Sequence, residues 1–247
     1  MLRISLTAVA VSVAFFSAQA ATTTFTDSTF NLADYTVTSV FKSDPTNTVT
    51  YAQCATCGDP SQALQITMTF PQSGGGSSAL GFVNTTFSYD PSTQGAISSI
   101  GAFVNKDVTL DSTSSGFTNT FRPLIEQDGN FYLATIPGPH FTGPTTGYLS
   151  LSNSSLVASD FVQYDFSTGT FGTANPNFGG DPMLLGLGQI TTSFGDFHQF
   201  EADYDNLTLS IHSTPDSGST FLLMFIPVAV LLAATRQTIL GTRLDPI

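Results

Sequence analysis

Between residues 21 and 213, apolar and polar positions alternate in short runs, and clusters of Gly, Pro, Asn and Asp separate the runs. Alternation with a period of two puts successive side chains on opposite faces of an extended chain, so each run predicts a strand with one buried face. The clearest run is Ala63-Leu64-Gln65-Ile66-Thr67-Met68-Thr69-Phe70, which places Leu64, Ile66, Met68 and Phe70 on a single face; Pro71 ends it. Further strands are expected at 22–30, 35–41, 48–52, 80–88, 96–104, 106–110, 117–127, 130–135, 148–151, 161–166, 183–192 and 197–211. Asp128-Gly129 joins two of these as a hairpin turn, with Phe131 and Leu133 on one face and Tyr132 on the other. No part of this stretch keeps a helical repeat of apolar positions over three turns. Many short strands punctuated by turn residues predict an all-β chain, an antiparallel β-sandwich of the jelly-roll kind.

The two ends break the alternation. Arg3 precedes an apolar stretch from Leu6 to Phe16, and Ala18-Gln19-Ala20 fits the small-x-small cleavage rule, which predicts a signal peptide over 1–20 and export of the chain from Ala21 onward. Near the other end, Phe221 to Ala234 is apolar without a polar face, contains Pro227, and is followed by Arg236. Its 14 residues predict a C-terminal transmembrane helix. As a helix they span about 21 Å against a hydrocarbon core of about 30 Å, a marginal crossing. The expected organisation is therefore a signal peptide (1–20), a secreted sandwich domain (21–213) and a C-terminal segment (214–247) that anchors the chain in the cell envelope.

Charge narrows the partners. The net charge is −12, and all of the acidic residues except Asp216 and Asp245 fall in the sandwich domain, against Lys42, Lys106 and Arg122. Such a surface excludes nucleic acid as a partner and suits solubility outside the cell. Cys54 and Cys57 are the only cysteines. In an oxidising compartment they predict a local disulfide; a redox site would want a helix start and a βαβ pattern, and two cysteines are too few for structural zinc.

Thr214-Pro215-Asp216-Ser217-Gly218-Ser219-Thr220, then the apolar run, then Arg236, is the order of a membrane-held sorting signal. This tail resembles the VPDSG-CTERM sorting domain, a variant of the PEP-CTERM signals handled by exosortases. The resemblance implies that Pro215, Asp216, Ser217 and Gly218 are read by an exosortase-type membrane enzyme. Thr214 replaces the family's usual Val, and Arg236 with a distant Arg243 replaces its Arg cluster. The body resembles the concanavalin-A-like lectin and glucanase sandwiches through Gly58-Asp59-Pro60, the stretch from Leu156 to Phe161, and the closing Tyr204-Asp205-Asn206-Leu207-Thr208-Leu209.

Candidate chemistry centres on Glu201-Ala202-Asp203-Tyr204-Asp205, where the period of two sets three carboxylates on one strand face, opposite Phe200, Ala202, Tyr204 and Asn206. The pattern resembles the Glu-x-Asp-x-Glu strand of retaining glucanases, which would make Glu201 nucleophile and Asp205 acid/base. Asp stands where that pattern has its last Glu, and no Trp is present to stack on sugar rings. The other readings are a solvated acidic face, or a structural Ca²⁺ at Glu201, Asp203 and Asp205 completed by backbone oxygens. Phe131, Tyr132, His140 and Phe141 are candidates for a sugar-binding end loop. The sequence thus predicts a non-enzymatic, envelope-tethered structural or adhesive matrix protein. Its alternatives are a carbohydrate-binding module for extracellular polysaccharide and, third, a glycoside hydrolase.

Overall fold

A computed structural model of the protein describes residues 20–59, 62–71, 75–111, 117–135, 140–141, 144–194 and 197–214. The expected signal peptide, apart from Ala20, the expected sorting motif Pro215–Gly218 and the apolar segment 221–234 lie outside the described residues. Ala21–Thr214 forms one compact unit.

That unit is an antiparallel β-sandwich. One sheet holds β11 (Leu149–Leu156), β7 (Ile97–Asp111), β15 (His198–Ser213), β5 (Ala63–Phe70) and β4 (Thr48–Cys54) in that order, with β1 (Thr22–Asp27) paired to the second half of β15. The other sheet runs β13 (Thr170–Phe171), β12 (Phe161–Asp165), β9 (Asn130–Ala134), β8 (Phe117–Gln127), β14 (Met183–Ser193), β6 (Gly76–Tyr89) and β2 (Tyr35–Val37). Two short strands join it, β10 (His140–Phe141) on β8 and β3 (Phe41–Lys42) on β6. A single helical turn, α1 (Pro91–Gln94), starts at Asp90, whose carboxylate accepts from the Ser92 N–H at 2.9 Å.

The core between the sheets is the one that the alternation predicts. Leu64, Ile66, Met68 and Phe70 of β5 are buried with Phe200, Ala202 and Tyr204 of β15, facing Leu80 and Phe82 of β6, Phe121 and Ile125 of β8, and Leu185 and Leu187 of β14. Each such side chain contributes about 1.5–3 kcal/mol on burial. Pro123 is tolerated inside β8 because β9 pairs only with 124–127 and β10 only with 119–120, so among the described residues one side of the strand has no ladder at that position.

The structure departs from the sequence pattern at several places, of which three matter here. The runs 96–104 and 106–110 are one continuous strand, β7, because Asn105 and Lys106 sit in mid-ladder opposite Asp205 and Tyr204. The run 35–41 divides into β2 and β3, each on a different stretch of β6. Most consequential, β15 changes phase. Phe200, Ala202 and Tyr204 point into the core, and so do Leu207, Leu209 and Ile211. Asn206, in the left-handed region at φ 55, forms a bulge where the register slips, and it lies outside the apolar face that strict alternation assigns to it.

Candidate functional site

The solvent side of the nine-stranded sheet carries a second apolar cluster made of Ala79, Val83, Leu124, Leu133, Tyr164 and Phe166, with Phe41 and Phe131 packed against it. Glycines make room for it. Gly81 of β6 and Gly188 of β14 are register partners; a Cβ on Gly81 would come within 2.7 Å of Leu124 and 2.9 Å of Phe166, and one on Gly188 within 2.5 Å of Leu133. The trough left by two missing side chains is filled from above by those three residues.

Phe166 reaches the trough because the chain turns back on itself between β12 and β13. Asp165 accepts from the Ser167 N–H at 2.7 Å and from its hydroxyl at 2.6 Å, and the Gly169 N–H, at φ 70, donates to the Asp165 carbonyl at 2.7 Å. The bonds from Ser167 hold the Asp165 carboxyl below its ordinary range, the hydroxyl acting most strongly. The turn stacks aromatic rings over the sheet: Tyr164 lies 4.8 Å from Phe166 and 4.8 Å from Phe171, and Phe131 lies 5.7 Å from Phe166, all edge-on. Arg122 sits against Phe171 at 5.6 Å. Burial pushes the Tyr164 phenol up to about 12, with the Arg122 charge working against the rise, and burial also lowers the Arg122 value.

Between this hairpin and the β8–β9 turn opens a cleft of 270 Å³, lined by Asn130, Phe131, Gln163, Tyr164, Asp165 and Ser167 among others. That volume falls just below the range of small-ligand pockets, about 300–1,000 Å³. Its amides are already oriented, since the Gln163 amide donates to the Asn130 side-chain oxygen at 2.9 Å, and the Asn130 amide donates to the Asp128 carbonyl at 3.3 Å. Aromatic edges below and amide, hydroxyl and carboxylate groups at the rim are a donor and acceptor set suited to a hydroxyl-rich ligand.

The residues singled out in the sequence go to different places. Phe131 lines the cleft, whereas Tyr132 faces the main core, as alternation requires. His140 and Phe141 form the short β10 against β8. Cys54 and Cys57 are joined in a disulfide, and the loop that it closes accepts a 2.6 Å bond from the Tyr148 hydroxyl on the Cys57 carbonyl.

Glu201, Asp203 and Asp205 share the outer face of β15, yet Asp203 and Asp205 are buried and not a solvated row. Asp203 accepts from the Gln65 amide at 3.1 Å, and Asp205 accepts from the backbone N–H groups of Asp59 at 2.8 Å and Asn206 at 2.7 Å. Burial raises the Asp205 carboxyl, and those two bonds oppose the rise. The same carboxylates act on Tyr148, whose phenol is pushed up by burial first and then by Asp203, Asp205, Asp107 and Asp59. Among the described residues no three His, Cys, Asp or Glu side chains gather to hold a metal ion.

Sequence reasoning missed Gln163, Tyr164, Asp165, Phe166 and Ser167, because 161–166 reads as a plain strand. The signal was Asp165-Phe166-Ser167-Thr168-Gly169, an Asx-type turn that folds Phe166 back over the sheet.

No protein-family model and no curated protein matches the chain. Solved structures resemble it in outline. A family 11 carbohydrate-binding module of a cellulosomal cellulase of Clostridium thermocellum is 8% identical at a TM-score of 0.41, over 76% of this chain and 95% of that one. A xylan-binding domain of carbohydrate-binding module family 22 is 10% identical at 0.33, over 78% and 95%. A module described for specific mannan recognition is 11% identical at 0.35, over 78% and 99%. Likeness at that level says nothing about a ligand.

Proposed function

We propose that this chain is a non-catalytic carbohydrate-binding protein that takes a short stretch of neutral polysaccharide in the cleft between the β8–β9 turn and the β12–β13 hairpin. The observation that carries this reading is the conjunction of Phe131 and Tyr164 with Asn130, Gln163 and Asp165 around one cleft on the open side of a sheet. A sugar ring offers an apolar C–H face and a rim of hydroxyls; the aromatic groups serve the first, and the amides and the carboxylate serve the second. The Asp165 carboxylate at the rim and the net charge of −12 favour neutral over acidic polymers. A glycan array probed with the full chain is expected to show binding to a neutral polysaccharide. Phe131→Ala and Gln163→Ala should each weaken it at least tenfold, a loss of about 1.4 kcal/mol. Absence of binding across the array, or binding that neither substitution reduces, would sink the reading.

A second element rests on the tail. Pro215-Asp216-Ser217-Gly218, the apolar run and Arg236 favour export and tethering by an exosortase-type system, which would present the cleft in an extracellular matrix as an adhesive or structural component. Cell fractionation tests it: the full chain is expected with the envelope, and a chain lacking 214–247 in the soluble exported fraction. Equal envelope retention of both would refute the tether.

A further inference from the structure

We propose that the protein pairs with a second copy of itself through β4, edge to edge about a two-fold axis. Among the described residues β5 is the only strand partner of β4, so the other side of the β4 backbone is an open row of donors and acceptors.

Natural sheets blunt such edges, and most of the other edges among the described residues are short, interrupted or end on a charge. β3 and β13 are two residues long, β2 is three, and β1 ends on the carboxylate of Asp27. β11 is interrupted by a register slip between Asn153 and Leu156, with Ser155 at φ 61. By contrast, Thr48-Val49-Thr50-Tyr51-Ala52-Gln53-Cys54 pairs with β5 without a slip over seven residues and has no charge and no proline.

Charge and direction select the occupant. Each copy carries a net charge of −12, so contacts between acidic surfaces repel, while β4 offers a neutral line of approach. The sheet order β11-β7-β15-β5-β4 is antiparallel at every step, so its two edges run in the same direction. Stacking copies head to tail would therefore require a parallel pair, whereas two β4 strands related by a two-fold axis are antiparallel, the slightly more stable ladder.

With the axis at Tyr51, that residue lies opposite itself and Thr50 lies opposite Ala52. Tyr51 is 39% exposed and sits edge-on to Phe82 at 5.3 Å, at the open side of the sandwich. The pairing covers both copies of this ring.

Sedimentation velocity of the full chain in detergent, over a concentration series, tests the proposal. The wild-type chain should show a concentration-dependent dimer. Thr50→Lys with Ala52→Lys, and Thr50→Glu with Ala52→Glu, alter exposed positions and set like charges across the axis; each double variant should dimerise at least tenfold more weakly. An equimolar mixture of the two should recover the dimer, which a fault in folding could not do. A wild-type chain that stays monomeric, a dimer indifferent to both double variants, or a mixture that fails to recover would each overturn the pairing. Glycan binding to the cleft is read separately, so failure here leaves the proposed function standing.

Discussion

At the scale of single residues, Asn206 decides how β15 can serve two halves of the core. A strand with strict alternation would turn Leu207, Leu209 and Ile211 out of the sandwich once Phe200, Ala202 and Tyr204 are in it. One residue in the left-handed region absorbs the extra step. Asn tolerates that conformation far better than a β-branched residue does. The Asn206 amide also donates to the Asp59 carbonyl at 3.3 Å, and its backbone N–H to the Asp205 carboxylate, so the bulge is tied to the segment that follows the disulfide. Asn206→Val should therefore destabilise the domain by about 1–3 kcal/mol, the range for strain at such a backbone position. Asn206→Gly should cost less, because glycine accepts the conformation and loses only the side-chain bond. Urea unfolding of the two variants beside the wild type checks the order, and an equal loss for both would remove backbone strain as the cause.

At the scale of elements, what the sequence makes legible is whatever alternation alone specifies. β5 reads correctly residue by residue because every second side chain meets the same core. The β8–β9 hairpin reads correctly because Asp128-Gly129 supplies the positive φ values of its turn, 53 and 74. Elements that depend on distant partners are not legible in this way. β7 appears as two runs because polar Asn105 falls between 96–104 and 106–110, and only its place opposite Asp205 in the ladder makes the strand continuous. The acidic row of β15 looks solvated because nothing local announces that Gln65, Asp59 and the Asn206 backbone will cover it. The cleft is hidden for the same reason. Phe166 continues a run of strand-like residues, and the space that it fills is left by Gly81, far away in sequence. The turn chemistry at Asp165 and Ser167 is local and could have been read.

At the scale of the whole molecule, opposite titration tendencies set where the domain is most stable. Burial raises the Asp205 carboxyl, so its contribution is fully present below the ordinary carboxylate value and is lost as pH rises through the raised one. Asp44 and Asp90 are half-buried and Asp165 is exposed, and hydrogen bonds from Thr46, Ser92 and Ser167 lower them; their contributions are present above the ordinary value and are lost as pH falls through the lowered ones. Repulsion within a chain of net charge −12 adds to the first tendency, since it grows as carboxylates ionise and weakens with salt. The melting temperature should therefore peak in mildly acidic solution, fall steeply in strong acid and decline gently towards pH 8. A net change of about 1 kcal/mol corresponds to about 2–4 °C for a domain of this size. Calorimetric melts across this range, at low and at high salt, measure it. Added salt should narrow the gap between the mildly acidic optimum and pH 8, since it screens the surface repulsion and leaves the buried Asp205 largely untouched. A melting temperature that climbs steadily from pH 4 to pH 8 would show that neither Asp205 nor the acidic surface governs stability.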